Sequence, residues 1–530
     1  TSLGYTNIDV DAITATPVSS YNPAQATSVQ NETAFGSSNF RNWIIEPQLS
    51  WRKKVLQGNL TAMVGSTFMD QRTSGVAQIG RGFSSEALMK NLIAAPTITI
   101  ASNQYAQYRY TALFGRINYV LADKYILNVT GRRDGSSRFG PGTQFANFGA
   151  IGVAWIFSKE GFLNSASPAL SFGKIRASYG VTGNDQLADY AYLDTYASSS
   201  GPYNGKVGLA PVRLSNPDFG WETNKKAEAS IDLGFANDRI MLSGSYYRNR
   251  STNQLVGFPL PPTTGFSNVQ GNFPATVQNS GIEVVVSTVN IDAEEFKWTT
   301  SINISLPRNK LVDFPNLELF PEYSNTYVVG EPLGVRKLFF YTGLDATTGL
   351  YTFEDVNEDG SLTQADRQSV KFVGVDYHGG LQNSISYKGF EFSFLFQFVK
   401  QTGNNYLYAG WPAPGLVSNQ LELVMNRWTS AGSDTDIQRF TRSTSSPYQY
   451  ARNSDLCVSD ASFVRLKNIA LSYSIPDNWL KKLHAQKLRI FVSGQNLFTI
   501  TGYDGLDPET QLSTLLPPLK VLTGGINVTF

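Results

Sequence analysis

One cysteine, Cys457, and two histidines, His378 and His484, are all the chain holds of two residue types on which much metal and redox chemistry depends. A lone thiol excludes an intrachain disulfide framework and a cysteine-rich zinc cluster, and two imidazoles far apart in the chain make a poor metal site. H-E-x-x-H, G-x-S-x-G, G-x-x-x-x-G-K-[ST] and a G-x-G-x-x-G after a strand are all missing. Zinc-peptidase, serine-hydrolase and nucleotide chemistry therefore lack their usual residues, the chain is not read as an enzyme, and no catalytic residue is nominated. Charge is sparse as well. Charged side chains make up 16% of the 530 residues, and 43 Lys+Arg against 42 Asp+Glu leave a formal charge of +1. That balance excludes a basic nucleic-acid footprint and a polybasic membrane-surface protein. No apolar run approaches the roughly 18 residues of a membrane-spanning helix, and Thr1 does not open a signal peptide.

What is abundant is aromatic and small: aromatics reach 13%, with 46 glycines. A composition that is polar without being charged suits an exterior that meets something other than water. Within it the informative signal is alternation, the period-2 pattern of a strand with two unlike faces. Leu522, Gly524, Ile526, Val528 and Phe530 interleave with Thr523, Gly525, Asn527 and Thr529. Ile175, Ala177, Tyr179 and Val181 alternate with Lys174, Arg176, Ser178 and Gly180. Tyr125, Leu127 and Val129 follow a turn through Asp123 and Lys124, and Ile240, Leu242 and Tyr246 follow one through Asn237 and Asp238. Trp298, Ile302, Ile304 and Leu306 form another apolar row, and a turn at Lys388 and Gly389 leads to Phe390, Phe392, Phe394, Phe396 and Phe398 on one face. Roughly fifteen such segments occur, most about 8 to 12 residues long, the length of a tilted membrane-crossing strand.

Two architectures share this pattern. In a soluble sandwich the apolar face is the core; in an outer-membrane barrel it meets lipid and the polar face lines a lumen. Connection lengths favour the barrel, because tight turns alternate with stretches near 183–226, 250–279, 307–379 and 400–462 that far exceed ordinary loops. Tyr119, Tyr125, Trp155, Trp298 and Tyr473 near strand ends fit interfacial girdles.

The stretch Asp460 to Thr510, DASFVRLKNIALSYSIPDNWLKKLHAQKLRIFVSGQNLFTITGYDGLDPET, closely resembles the signature of the SusC/RagA-like family, TonB-linked outer-membrane transporters of Bacteroidetes. GRRDGSSRFG from Gly131 to Gly140, KIRASYGVTGN from Lys174 to Asn184 and the terminal Phe530 resemble the same family. The resemblance implies an all-β fold, part of a transmembrane antiparallel barrel of 22 strands with short periplasmic turns and long extracellular loops. Residues 1–530 would be its carboxyl-terminal portion, with the plug, the N-terminal domain and the TonB-contacting segment outside this sequence. It also implies import of oligosaccharides or oligopeptides, a SusD-like surface lipoprotein over the extracellular mouth, and the TonB-ExbB-ExbD complex acting through the plug. A passive porin or scaffold barrel is the alternative, and a secreted, calcium-using glycan-binding β-protein a third reading.

Site chemistry concentrates in the long insertion 307–379. Its segment 355–366 reads DVNEDGSLTQAD and places Asp355, Asn357, Asp359, Ser361 and Asp366 at positions 1, 3, 5, 7 and 12 of an EF-hand-like calcium loop, with Gly360 at the sharp turn. Asp at position 12 reaches less far than the usual Glu. A structural Ca2+ is expected there, against the plainer reading of an Asx-rich turn. Loop aromatics Tyr190, Tyr192, Tyr196 and Tyr203, and Tyr406, Tyr408 and Trp411, are candidates for stacking on sugar or peptide, against ordinary loop packing. Lys174, Arg176, Arg465 and Lys467 are expected on the lumen side, and His378 and His484 in loops or turns.

Overall fold

The computed structural model describes all residues except 163–168, 199–200, 202–203, 409, 477–478, 481–484 and 513–514, so Tyr203 and His484 lie outside the described residues. Nineteen of the strands among the described residues belong to one antiparallel sheet. The chain divides into two compact units, Thr1–Val153 with Tyr179–Lys225 and Thr252–Phe273, and Ala154–Ser178 with Lys226–Ser251 and Pro274–Phe530.

The first unit is a meander of β1 (Ser2–Thr16), β2 (Glu32–Glu46), β3 (Gln48–Val55), β4 (Gly58–Arg81), β5 (Thr97–Leu121) and β6 (Tyr125–Ser136). β2 and β3 pair with successive parts of β4, so they are one strand interrupted at Pro47. Pro47 has no N–H to give a ladder, and its carbonyl accepts from Ser66 N. The second unit holds β7 (Ile240–Thr252), β8 (Thr276–Asp292), β9 (Phe296–Asp313), β10 (Gly374–Tyr387), β11 (Phe390–Asn404), β12 (Phe463–Ser474), β13 (Lys487–Gln495) and β14 (Val521–Thr529), paired in that order. The tight turns take left-handed residues, Ala122 and Asp123 at φ 51° and 55°, and Lys388 and Gly389 at φ 46° and 86°. Two positive φ angles in a two-residue loop match the twist of the flanking strands.

The register puts the predicted apolar rows side by side. Ile282 stands opposite Tyr246 and Leu306, and Val284 opposite Gly244 and Ile304. Phe390, Phe392 and Phe394 face Tyr473, Leu471 and Ile469; a bulge next to Phe396 then keeps Phe396 and Phe398 beside Leu466 and Val464. No second sheet covers these rows among the described residues: Ile282 is 50% exposed, Leu113 60% and Val492 57%. The buried apolar clusters are in the long connections instead. One gathers Leu338, Tyr351, Leu407, Tyr408, Val424, Ile437 and Tyr448, and another Phe83, Met89 and Ala95. A soluble sandwich hides its strands' apolar side chains between sheets, whereas these strands expose theirs.

The polar rows hydrogen-bond across strands, as with Asn309 to Asn279 at 2.7 Å and Arg116 to Asn128 at 2.9 Å. Aromatics near the tight-turn ends anchor to polar groups: Trp298 Nε1 donates to Asn383 at 2.9 Å and Tyr119 to the Val55 carbonyl at 3.1 Å. Several strands run past the expected crossing length, since β4 reaches Arg81 and β9 reaches Asp313. His378, expected in a loop, sits within β10 opposite Ser305 and Val399.

Candidate functional site

Side chains on the polar face are held by one another. In the GRRDGSSRFG string of β6, Arg132 Nε donates to Asp134 at 2.8 Å and Arg132 Nη2 to the Tyr110 hydroxyl at 2.6 Å. Past the end of β6 but within the same string, Arg138 pairs with Asp189 at 2.8 Å and lies over the Tyr108 ring, whose hydroxyl donates to Asp185 at 2.6 Å. Phe139, fully buried, packs on Phe219 and Trp221. These contacts tie a strand end to the connection 185–221. In the second unit Arg176 pairs with Asp232 at 3.2 Å, and Ser243 donates to the same carboxylate at 2.7 Å. Arg176 therefore lines the polar face as expected, with its charge matched.

Arg465, expected on the lumen side, stands opposite Gln397 on the polar row and is 1% exposed. Its guanidinium donates to Asp507, to Glu509 Oε2 at 2.7 Å and to Thr499 Oγ1 at 2.9 Å, and Lys467 reaches the same Glu509 oxygen at 3.3 Å. Asp507 also accepts the N–H groups of Glu509 and Thr510, which shapes the segment as a tight turn. Gln401 donates to the carbonyls of Ala461 and Pro508 at 3.0 and 2.7 Å, which fastens that turn to β11 as well. The strings FVRLKN and GYDGLDPET thus form one assembly. Nothing in either string announces the pairing, because residues more than forty apart meet only through the sheet; opposite charge in both was the available signal.

The loop aromatics divide by burial. Tyr190, left-handed at φ 60°, exchanges hydrogen bonds with the backbone of Gln107, accepting from its N–H at 2.9 Å and donating to its carbonyl at 3.3 Å. Tyr192 uses its carbonyl to accept from Asn216 N–H, and Tyr196 lies exposed on Asp194. Tyr406 and Tyr408 are buried but reach a groove of about 430 Å³ with Leu421, Asp436 and Tyr503. Tyr408 donates to the Tyr351 hydroxyl, and Tyr406 meets Trp411 and Tyr503 edge-on. Burial pushes the Tyr408 phenol far up and the Tyr503 phenol up to about 12. The Trp411 Nε1 is buried without a partner, while its carbonyl accepts from Tyr448. Cys457 is buried in the same loop core, and burial pushes its thiol up, away from the reactive thiolate.

Segment 355–366 folds as a sequence of side-chain-to-backbone turns. Asp355 Oδ2 accepts from Gly360 N at 2.7 Å, Asn357 Oδ1 from Asp359 N at 3.1 Å and Asp359 Oδ1 from Ser361 N at 2.8 Å. Gly360 takes φ 83°, the left-handed turn expected of it. Asp366 is fully buried, with one oxygen accepting from Val356 and Asn357 and the other from Thr363. The Thr363 N–H above all, then those of Asn357 and Val356, hold its carboxyl below the usual carboxylate range. Asp355 Oδ1 is buried and unpartnered. Among the described residues no group of three or more His, Cys, Asp and Glu is arranged to hold a metal. An ion here would rest on Asp355, Asp359, the Asn357 amide oxygen and the Ser361 carbonyl, with Asp366 stapling the loop from behind.

Comparison with known proteins agrees with this architecture. The family described as TonB dependent receptor-like, beta-barrel, matches residues 1–497. TonB-dependent receptor P3 of Formosa agariphila is 29% identical over 509 residues, covering 91% of this chain and 50% of the relative. TonB-dependent receptor SusC of Bacteroides thetaiotaomicron is 28% identical over 437 residues, covering 75% and 41%. The chain therefore spans about half the length of such relatives. The solved structure described as the RagAB peptide transporter superposes with a TM-score of 0.83 at 22% identity, over all of this chain and 59% of that one. The exposed apolar rows are thus the lipid-facing side of an outer-membrane wall and the paired polar rows its inner side, and the chain belongs to the TonB-dependent receptor-like β-barrel family.

Proposed function

We infer that the chain forms most of the barrel wall of a SusC/RagA-type importer that takes up oligosaccharides or oligopeptides under TonB control. The observation that carries this reading is the division of the crossing strands into an exposed apolar row and a hydrogen-bonded polar row, within a chain of this family. The long connections of the second unit, packed around a core of their own, would offer an extracellular surface on which a SusD-like lipoprotein closes. Force from the TonB-ExbB-ExbD complex would enter through a plug outside these residues. The groove beside Tyr406 and Tyr408 and the connection carrying Tyr190 and Tyr192 are the proposed contacts to substrate or lipoprotein. Labelled-substrate uptake by cells is expected to stop when TonB is deleted. Uptake that persists would make the barrel a passive porin. Mass spectrometry of material that co-purifies with the intact complex identifies glycan or peptide.

Calcium is proposed as a stiffener of the loop 355–366, on the strength of the unpartnered Asp355 oxygen and the register of oxygen donors around Gly360. Calcium supplies hard, oxygen-seeking charge there and no reactivity. Asp355→Ala with Asp359→Ala is expected to leave the barrel assembled, to abolish calcium retained per protein in elemental analysis, and to speed proteolysis within the loop. Unchanged calcium content would overturn it.

A further inference from the structure

We propose that the lipid-facing side of β7, β8 and β9 ends in a binding site for the phosphate groups of an outer-leaflet lipid headgroup. Two short sequences mark it, Arg248-Asn249-Arg250 in β7 and Arg308-Asn309-Lys310 in β9. The register aligns them in two rows: Arg248 opposite Ser280 and on to Arg308, and Arg250 opposite Gln278 and on to Lys310. Strand spacing sets the cations about 10 Å apart across the rows and about 7 Å apart along each strand, the scale of a phosphorylated headgroup.

These cations share their face with the lipid-facing row. No register shift falls between them and Tyr246, Ile282 and Leu306 in the preceding rows, or Gly244, Val284 and Ile304 before those. The apolar row of β9 runs from Trp298 to Leu306, about the 9–11 residues a tilted strand needs to cross the hydrocarbon. Arg308 and Lys310 follow it immediately, toward the long connection 314–373 and away from the tight turn at 293–295. They therefore stand at the level of the outer-leaflet headgroups.

Four like charges crowd this patch, and none takes part in an ion pair among the described residues. Gln278 Oε1 accepts from both Arg248 Nε and Arg250 Nε, at 2.9 and 2.8 Å, which orients the two guanidiniums side by side on a neutral acceptor. Among the described residues Arg308 Nη1 donates to the carbonyls of Pro307 and Asp376. Clustered cations that are not ion-paired repel one another, so the arrangement calls for an anion from outside, and guanidinium forks match phosphate oxygens. The first unit shows the contrast: Arg72 and Arg109 occupy the lipid-facing row of β4 and β5, yet both spend their Nε on Asp70.

The test uses the full-length protein in detergent, titrated with a diphosphorylated glycolipid, its dephosphorylated counterpart and inorganic phosphate, and read by native mass spectrometry. The phosphorylated lipid is expected to bind at least about tenfold tighter than its counterpart, and Arg308→Gln with Lys310→Gln to remove most of that difference. Gln278→Leu, which keeps all four charges, is expected to weaken binding more modestly. Arg72→Gln with Arg109→Gln should bind as the parent does. Equal binding of the two lipids, full binding by the Arg308/Lys310 variant, or displacement of the lipid by millimolar inorganic phosphate alone would overturn the proposal.

Discussion

Phe394→Lys is expected to destabilise the assembled barrel by about 2–4 kcal/mol, whereas Ser393→Lys, one residue away, should cost well under half of that. Phe394 is central in the row Phe390 to Phe398, with Asn383 and Ile469 opposite it and the rings of Phe392 and Phe396 each 5.7 Å away. A lysine there places an ammonium near the middle of the hydrocarbon and empties a ring-lined space. Ser393 has Ser384 and Ala470 opposite it on the polar face, where water can solvate the new charge. Urea unfolding of the full-length protein in lipid, followed by heat-modifiable mobility on gels, measures both. Equal costs for the two variants would mean that the faces do not meet different solvents, and the membrane assignment would go with them.

Arg465→Ala is expected to cost about 3–5 kcal/mol, because it strands Asp507 in a buried place without its cation. The two acidic partners differ in weight. Asp507 is 7% exposed and dominates, while Glu509, 41% exposed, is screened by solvent, so Glu509→Gln should cost at most about 1 kcal/mol. Arg465→Lys should rescue poorly, since one ammonium cannot serve Asp507, Glu509 and Thr499 at once in the fork geometry. Two readouts separate this from general misfolding. Thermal unfolding should fall for Arg465→Ala, and proteolysis should open specifically around residues 502–511 while the crossing strands stay protected. Replacing Arg465, Asp507 and Glu509 together by apolar residues of similar size should recover much of the loss. If Arg465→Ala unfolds like the parent, the network has no structural role.

Much of this architecture is visible in the chain before any coordinates, but only where the two faces of a strand meet different solvents. Trp298 to Leu306 and Phe390 to Phe398 cross hydrocarbon, so their alternation is sharp and their pairing follows it. Above that level both faces meet water or loops, and the contrast fades. In Asn103-Gln104-Tyr105-Ala106-Gln107 no alternation survives, yet the ladder continues without a break from Asn103 to Leu121. For the same reason β9 runs on to Asp313 and His378 is a strand residue. Positions such as Lys388 and Gly389 were readable because a two-residue turn needs left-handed backbone.

The candidate contact residues divide along the same line. The Asx-rich spacing of 355–366 announces a compact turn around Gly360, since Asx chemistry is local. It could not show that Asp366 is consumed by the N–H groups of Thr363, Val356 and Asn357, because that depends on how the loop closes. Nor could composition reveal that Tyr406 and Tyr408 are largely interior to a loop core.

By itself, then, the sequence determined the strand period, the tight turns and the family, all properties of neighbouring residues or of long matching strings. Only the tertiary structure decided that the apolar rows stay uncovered, that Arg465 sits between Asp507 and Glu509, and that the cations of two R-N-[RK] triplets, two strands apart, share one face. Those facts belong to pairs of residues brought together by register, and register is set by the whole sheet, not by any segment within it.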